Sequence, residues 1–420
     1  MKVLWFEVTE PLRYQDKGLV IGGWQDSLEN IVRECPDTEL SIAFETNDAC
    51  AQKKKVDGVT YIPICKGKNF VNKIKEKLNW NLRIRNLKQT MKKIVDEANP
   101  DLIQVFGTEW PYGLVADLTN KPVVIHIMGA LVQYSNALYA PGFSSHDLAR
   151  SVPFWNIWKR LKIVRNKKIF LRQVDCEKDI WEKVKYYMGR TEWDKNLSKI
   201  MHPDRIYFHV EEALRPEIMM EETVWNAPTK AKVRLISTGC STFWKGPDMM
   251  LRTAQILKDR QFDFEWLVAG KMPLDIKLCV ENKLGTTFEE NDVKLIGFTK
   301  PSDLRKILCQ STLYIHTAYV ENSPNSICEA QILGVPVVST NVGGISTLLG
   351  EDGIMVPAND PWQMANAIIE LTRDKEKMER FSKNGREKAL KRHNTENIKK
   401  QLFDCYNSIL NNNHISQNVR

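Results

Sequence analysis

Nothing in this sequence approaches the roughly 18 consecutive apolar residues of a membrane-spanning helix, and no Cys-x-x-Cys pair occurs in it. The nine cysteines are scattered, at positions such as Cys35, Cys176, Cys240 and Cys328, and their number is odd. That argues against a disulfide framework or a structural zinc site, and for reduced thiols in a cytosolic setting. The start, MKVLWFEVTEPLRY, lacks the basic leader and small-residue cleavage site of a signal peptide and reads as a first buried strand. The Gly-x-Gly-x-x-Gly dinucleotide fingerprint is missing, as is any short-period repeat. No nucleic-acid-binding motif accompanies the positive charge.

What is present is an alternation. Short Val- and Ile-rich runs (KVLWF, ELSIAFE, VTYIPI, DLIQVFG, PVVIHIMG, VKYYMGR, RIYFHV) are separated by longer amphipathic segments. The pattern starts again with VRLISTG, FEWLVAG, VKLIGF, TLYIHTA and PVVSTN. Strand–helix alternation implies parallel sheets covered on both faces, and 420 residues suit two domains of about 200. The prolines and poor periodicity of Ala213 to Lys230 mark a linker. The expected division is 1–222, 223–394 and a closing helix in 395–420, with NNNHISQNVR as a frayed end. Two doubly wound domains imply a cleft at the carboxyl ends of both sheets, so functional residues should follow strands directly.

The stretch ENSPNSICEAQ, Glu321 to Gln331, lies in such a place, after the strand TLYIHTA. Ser323 suits an N-cap and Pro324 a first helical position. Asn325, Ser326 and Ile327 would then offer backbone N–H groups at the positive end of a helix, an anion site suited to a diphosphate. Carboxylates aimed at a phosphate would repel it, so Glu321 and Glu329 should face hydroxyls, as acceptors. Helix, anion and two acids describe a nucleotide-sugar better than ATP or NAD. On spacing alone, Glu329 can equally serve only the helix dipole, and Glu321 can be a solvated loop acid. In STGCSTFWKGPDMM, Gly239 permits close backbone approach and Lys245 supplies a point charge for phosphate, though a surface lysine before a helix would look the same. Gly22-Gly23 forms either a plain tight turn or a turn that brings an amide against a phosphate.

Taken together, Glu321-x7-Glu329, GVPVVSTNVGG, the preceding Gly239/Lys245/Gly246 and the amino-terminal Gly-Gly turn resemble family 4 of the retaining glycosyltransferases, with the GT-B fold. FGTEWPYGL and MGRTEWDKN resemble a bacterial polysaccharide-assembly branch of that family. The resemblance implies an α/β fold of two Rossmann-like doubly wound domains facing an interdomain cleft, with the last helix crossing back onto the first domain. It implies that Glu329 holds the donor's ribose hydroxyls and Glu321 those of the transferred sugar. Asn325, Ser326 and Ile327 would offer amides to sugar and diphosphate, Lys245 would neutralise the leaving diphosphate, and Gly23 would approach it from the other domain. No metal or other cofactor is implied, and no Asp-x-Asp pair stands in a suitable loop. Two positions depart from the pattern. Cys240 stands where relatives often carry Arg, which leaves Ser241, Thr242 or Arg190 to compensate. Met128-Gly129 stands where relatives often have His-Gly, which leaves His126 and Glu109 as polar candidates on the acceptor side; His126 can equally be a core residue.

Charge is uneven. Lys66 to Lys93 holds ten Lys/Arg against Glu76 alone, and Lys159 to Arg172 holds seven with no acid. WNIWKRLKIVRNKKIFLRQ reads as an interfacial helix suited to anionic lipid, or as a solvated basic face. The expectation is a metal-independent retaining glycosyltransferase, cytoplasmic and peripheral at the inner membrane face. It would use a nucleotide-sugar, UDP-linked by preference, and a glycan or polyprenyl-linked acceptor, with no nucleic-acid partner. The alternatives are a non-catalytic sugar-nucleotide-binding subunit, motivated by Cys240 and Met128, and a soluble transferase with a protein or small-molecule acceptor.

Overall fold

A computed structural model of the chain describes residues 1–15, 23–65, 76, 79–219, 224–227 and 232–418. Gly22 and the Lys66–Lys75 part of the basic run lie outside the described residues.

The strand-forming runs build two sheets. The first contains β1 (Lys2–Glu7), β2 (Glu39–Thr46), β3 (Lys54–Val56), β4 (Val59–Cys65), β5 (Leu102–Phe106), β6 (Val123–His126), β7 (Tyr186–Gly189) and β8 (Ile206–His209). Its order is β3-β4-β2-β1-β5-β6-β7-β8. All its pairs are parallel except β3–β4. The second contains β9 (Val233–Thr238), β10 (Phe264–Ala269), β11 (Val293–Gly297), β12 (Leu313–His316), β13 (Val337–Thr340) and β14 (Ile354–Val356), in the order β11-β10-β9-β12-β13-β14, all parallel. Two parallel sheets of this kind are what the alternating runs predict. The sequence reading passes over β3 and β14. The first is half of a hairpin whose turn, Asp57-Gly58, has φ of 46° and 89°, the doubly left-handed geometry for which Asp-Gly is suited.

Helices cover both faces. Those that position the cleft or its approaches are α1 (Trp24–Arg33), α2 (Trp80–Ala98), α3 (Leu131–Tyr134), α4 (Ile157–Lys183), α5 (Pro247–Asp259), α6 (Asn325–Ile332) and α7 (Thr395–Asn418). The expected frayed end is helical through Asn418, since no glycine or proline interrupts that polar run. Although α7 follows the second sheet in sequence, it completes the core of the first. Ile398, Leu402, Tyr406 and Ile409 are buried with Val3, Trp5 and Leu28. The Tyr406 hydroxyl accepts from Trp5 Nε1 at 3.1 Å and donates to Gln104. This helix therefore straps the two domains together. Trp225, in the presumed linker, is 5% exposed and donates its indole N–H to Ser311 O at 2.8 Å, so this part of the crossover belongs to the second core.

Candidate active site

The second sheet presents two loops at its carboxyl edge. After β9 the chain turns at Gly239 (φ +72°), makes a single 3-10 turn at Phe243–Lys245, and enters α5 through Gly246 (φ +68°). A Cβ at Gly246 would stand 1.9 Å from Thr317 O, so only glycine lets this loop lie against the end of β12. That approach carries Lys245 to the loop after β12, where Nζ makes a short ion pair with Glu321 Oε1. The Glu321 loop is seated from behind in the same way. A Cβ at Gly343 (φ +55°) would meet Glu321 O at 1.6 Å, and Gly344 N donates to that carbonyl at 3.3 Å.

Three ion pairs line the resulting interdomain cleft, which has a volume of about 500 Å³ and is bounded by Gly23, Trp24 and Met128 from the first domain and by Thr238, Gly239, Pro324, Asn325 and Ser326 from the second. Lys245 pairs with Glu321. Arg215 Nε and Nη2 both donate to Glu329 Oε1, at 2.9 and 2.5 Å. Arg190 pairs with Glu212. Burial raises the Glu321 carboxyl, but Lys245 and His316 outweigh it and hold the group down at about 2. In Glu329 burial prevails over Arg215, and the carboxyl is pushed up. Among the described residues, three cations and three carboxylates make the lining nearly neutral, so an anionic ligand gains one of these cations by exchange with its carboxylate.

The two walls are joined by side chains. Thr191 Oγ1 donates to Asn322 Oδ1 at 2.6 Å, and Asn322 Nδ2 donates to Asp194 Oδ2 at 3.1 Å and to Met128 O at 3.3 Å. Tyr134 stacks on Trp244, with centroids 5.3 Å apart and planes 7° off parallel. Tyr134 belongs to α3, whose first amides, Leu131 and Val132, donate to the buried carboxylate of Glu177 on α4 at 2.9 and 2.8 Å. The cavity of about 1180 Å³ between α2 and α4 lies away from this edge. There Lys88 and Lys183 are both paired with Asp117.

Residues 232–374 match the family of glycosyl transferases group 1. Those residues are a glycosyltransferase group 1 domain. The chain is 26% identical over 168 residues to the capsular polysaccharide biosynthesis glycosyltransferase CapM of Staphylococcus aureus, a match covering 40% of this chain and 43% of CapM. It spans about half or less of the length of the curated relatives it matches. In structure it is similar to sucrose-phosphate synthase from Thermosynechococcus elongatus (TM-score 0.70, 15% identity, 97% of this chain and 98% of that one). It is also similar to HepE of Anabaena in complex with UDP and glucose (TM-score 0.62, 16% identity, 97% and 100%). The fold is GT-B, and the resemblance drawn from the Glu321/Glu329 pattern is borne out in the glycosyltransferase domain.

Several expected site residues sit where the sequence reading places them, and several do not. Gly23, Gly239, Lys245, Asn325, Ser326, Glu321, Glu329, Met128 and Arg190 line the cleft. The Asn325 and Ser326 amides belong to the first turn of α6, which the helix itself leaves unbonded. Ile327 does not join them, because its amide donates to Pro324 O at 2.9 Å and its side chain is in the core. Ser323 is not an N-cap, and its hydroxyl donates across the cleft to Glu212 at 3.0 Å. The Gly23 amide is taken by Asp26 at 2.9 Å as part of the α1 cap, so it does not offer itself to a phosphate. Ser241 is exposed and outside the lining residues.

His126 closes β6 beneath the cleft floor, fully buried between Trp24 (ring centroids 4.8 Å) and Phe106 (6.0 Å). Burial and the charge of Arg190 hold its imidazole well below the ordinary range, hence neutral. It is a core histidine. Arg190 does not replace the charge missing at Cys240, since its guanidinium is committed to Glu212 and to Ile127 O at 2.9 Å. The other candidate is Arg215, which is paired with Glu329 but more exposed than Arg190 (19% against 2%), and which the sequence reading missed because it lies in the presumed linker. The only signal was a lone cation directly before a proline, which carries no motif.

Glu109 lies behind the first-domain wall. Its carboxylate folds over Gly107 and Gly129, where Cβ atoms would stand 2.2 and 2.8 Å from its oxygens. Burial and the neighbouring charge of Glu177 push it up to about 7. The folded state thus favours the protonated form, and its contribution to stability falls as pH rises from about 4.5 to 7. Glu109→Gln should remove a decline of about 1–3 kcal/mol. Urea midpoints at pH 5 and pH 8 check this, and an unchanged difference between the two would contradict the assignment.

Proposed function

We propose that the chain is a retaining glycosyltransferase that moves a sugar from a UDP-sugar onto a lipid-linked or growing surface glycan without a metal ion. The observation that carries this reading is the convergence in one cleft of Lys245, Arg215, two first-turn amides and two carboxylates. A nucleotide-sugar satisfies all of them by exchange. Its diphosphate takes Lys245, Arg215 and the amides of Asn325 and Ser326, while ribose and sugar hydroxyls take Glu329 and Glu321. Cations and amides aimed at the leaving diphosphate stabilise the charge that develops there. In the transfer, the bond from sugar C1 to the diphosphate oxygen breaks and a bond from C1 to the acceptor oxygen forms on the same face. The acceptor proton passes to the departing phosphate, and Met128 lies on the first-domain side from which the acceptor enters.

The UDP preference and the glycan acceptor draw support from HepE, whose structure is a complex with UDP and glucose, and from CapM, a capsular polysaccharide biosynthesis glycosyltransferase. For a peripheral membrane site the support is α4. No helix among the described residues is long and apolar enough to cross a membrane, yet Trp155 and Trp158 are 74% and 81% exposed beside a run of cations.

A calorimetric panel of UDP-, GDP- and ADP-sugars tests the donor. Glu329→Ala should weaken UDP-sugar binding by about 10–100-fold, the loss of a hydrogen bond to a charged group (about 1.5–3 kcal/mol). An unchanged dissociation constant would overturn the role of Glu329. Product formation with each acceptor class, with the anomeric configuration read by NMR and EDTA present, tests transfer, retention and metal independence together.

A further inference from the structure

Two nitrogens approach a single oxygen of Glu321. Oε1 accepts from Lys245 Nζ and stands 3.3 Å from Nε2 of His316. The two residues differ in mobility. Lys245 reaches Glu321 on a flexible four-carbon stem and is 28% exposed on the cleft side. His316 is the last residue of β12, is 4% exposed, and stacks on Tyr314 with centroids 6.2 Å apart. Tyr314 is fixed in turn by a 3.0 Å hydrogen bond between its hydroxyl and that of Thr238. The buried Nε2 of His316 completes no hydrogen bond among the described residues, so the 3.3 Å approach to Oε1 leaves it poised beside the carboxylate and not engaged elsewhere.

The proposed exchange creates a difficulty that this geometry answers. When Lys245 turns to a diphosphate, Glu321 would be left as a buried charge without its cation, which is strongly unfavourable. Its carboxylate would also be free to rotate away from the sugar. We propose that His316 is a positioning residue for Glu321, its Nε2–H holding Oε1 in place when Lys245 transfers to the donor diphosphate, so that the remaining oxygen stays aimed at a donor-sugar hydroxyl. This rests on the nucleotide-sugar reading of the cleft. The sequence offers no hint of it, because His316 reads as the end of an apolar strand five residues before the carboxylate it serves.

The role predicts a sugar-specific defect. With UDP and UDP-glucose as probes, calorimetry on His316→Phe should show UDP affinity within twofold of the unsubstituted protein and UDP-glucose affinity about tenfold weaker. His316→Gln, which can present an N–H near the Nε2 position, should recover most of that loss. A purely structural role would weaken both probes together or neither. Equal ratios of UDP to UDP-glucose affinity in the Phe variant and the unsubstituted protein would overturn the inference. A second measurement is independent of any donor. In ¹⁵N spectra of the histidine ring, the Nε2 resonance of His316 should shift in Glu321→Gln, and a resonance unmoved by that change would overturn the contact. If neither probe binds the unsubstituted protein, the UDP-sugar reading fails, while the ring-nitrogen shift still decides whether His316 holds Glu321.

Discussion

Lys245→Ala is expected to reduce transfer by about 10²–10³-fold, the loss seen when one preorganised donor to a developing oxyanion is removed (about 3–4 kcal/mol). Few other groups in the cleft could carry the charge. The residue after Gly239 is Cys240, 3% exposed and with its thiol pushed up to about 12 by burial, so it brings no charge to the phosphate. Arg190 is locked to Glu212. Among the described lining residues that leaves Lys245 and Arg215, and of these two Lys245 sits on a loop set against the end of β12 by Gly246. Removing it has a second consequence, because Glu321 loses the partner that most strongly opposes its burial. The carboxyl, held at about 2 with Lys245 present, should rise. A group held below its ordinary value contributes stability that is present above about 4.5 and lost as pH falls toward 2. Lys245→Ala should therefore unfold at higher pH on acid titration than the unsubstituted chain. Lys245→Arg should keep the acid stability and recover only part of the turnover, since a planar fork replaces a compact ammonium in a loop of fixed length. Single-turnover rates with the preferred nucleotide-sugar, with circular dichroism from pH 2 to 6, check both halves. Turnover in the Ala variant within threefold of the unsubstituted chain would remove Lys245 from the chemistry.

The sequence makes most of the fold legible because the information is local. Each of KVLWF, DLIQVFG, VRLISTG and TLYIHTA is an apolar run bounded by turn residues, and a parallel strand buried on both faces needs little more. The strands it hides are three residues long and lie at an edge. The Glu321–Glu329 side of the cleft is also legible, because Glu321, Pro324, Asn325, Ser326 and Glu329 come from one strand–loop–helix unit. Their spacing in sequence is their spacing in space. The cations are not legible in this way. Arg215 pairs with Glu329 across 114 residues and Lys245 with Glu321 across 76. His126 and Met128 differ by two positions, yet one is core and the other lines the cleft, since the strand ends between them and alternation no longer fixes direction. Gly23 illustrates a third kind of gap. Its place in the cleft follows from the first strand–helix turn, but the use of its amide depends on whether Asp26 caps the helix.

Replacing Trp155, Trp158 and Leu161 of the chain with serine should weaken binding to vesicles of mixed anionic and neutral phospholipid by at least about 10²-fold. Helix α4 has two apolar faces. Ile163, Val174, Ile180 and Trp181 face inward and are buried, with the carboxylate of Glu177 buried among them. Ile157, Leu161, Val164 and Leu171, at intervals of four, three and seven, form a second stripe that solvent reaches, continued by Phe154, Trp155 and Trp158. A soluble domain gains nothing from such a stripe. Cations at Arg165, Lys168 and Arg172 accompany it, which selects an anionic lipid surface over a neutral apolar partner. Each fully buried large side chain contributes about 1.5–3 kcal/mol, so losing three exceeds the stated factor even with partial insertion. Reversing Lys168 and Arg172 to glutamate should instead abolish the salt dependence while leaving the aromatic contribution. The same helix is tied to the first-domain side of the cleft through a shorter one. Glu177, about 28 Å along the axis from Trp158, binds the amides of Leu131 and Val132 that begin the short helix carrying Tyr134. An interface-bound tip would therefore hold the first-domain wall of the cleft at a fixed height above the lipid, where the proposed lipid-linked acceptor would arrive. Co-sedimentation with vesicles at low and high salt checks the anchor, and the serine variant should retain transfer to a soluble acceptor while losing it on a lipid-linked one. Equal sedimentation of the serine variant and the unsubstituted chain would show that the stripe faces something other than a membrane.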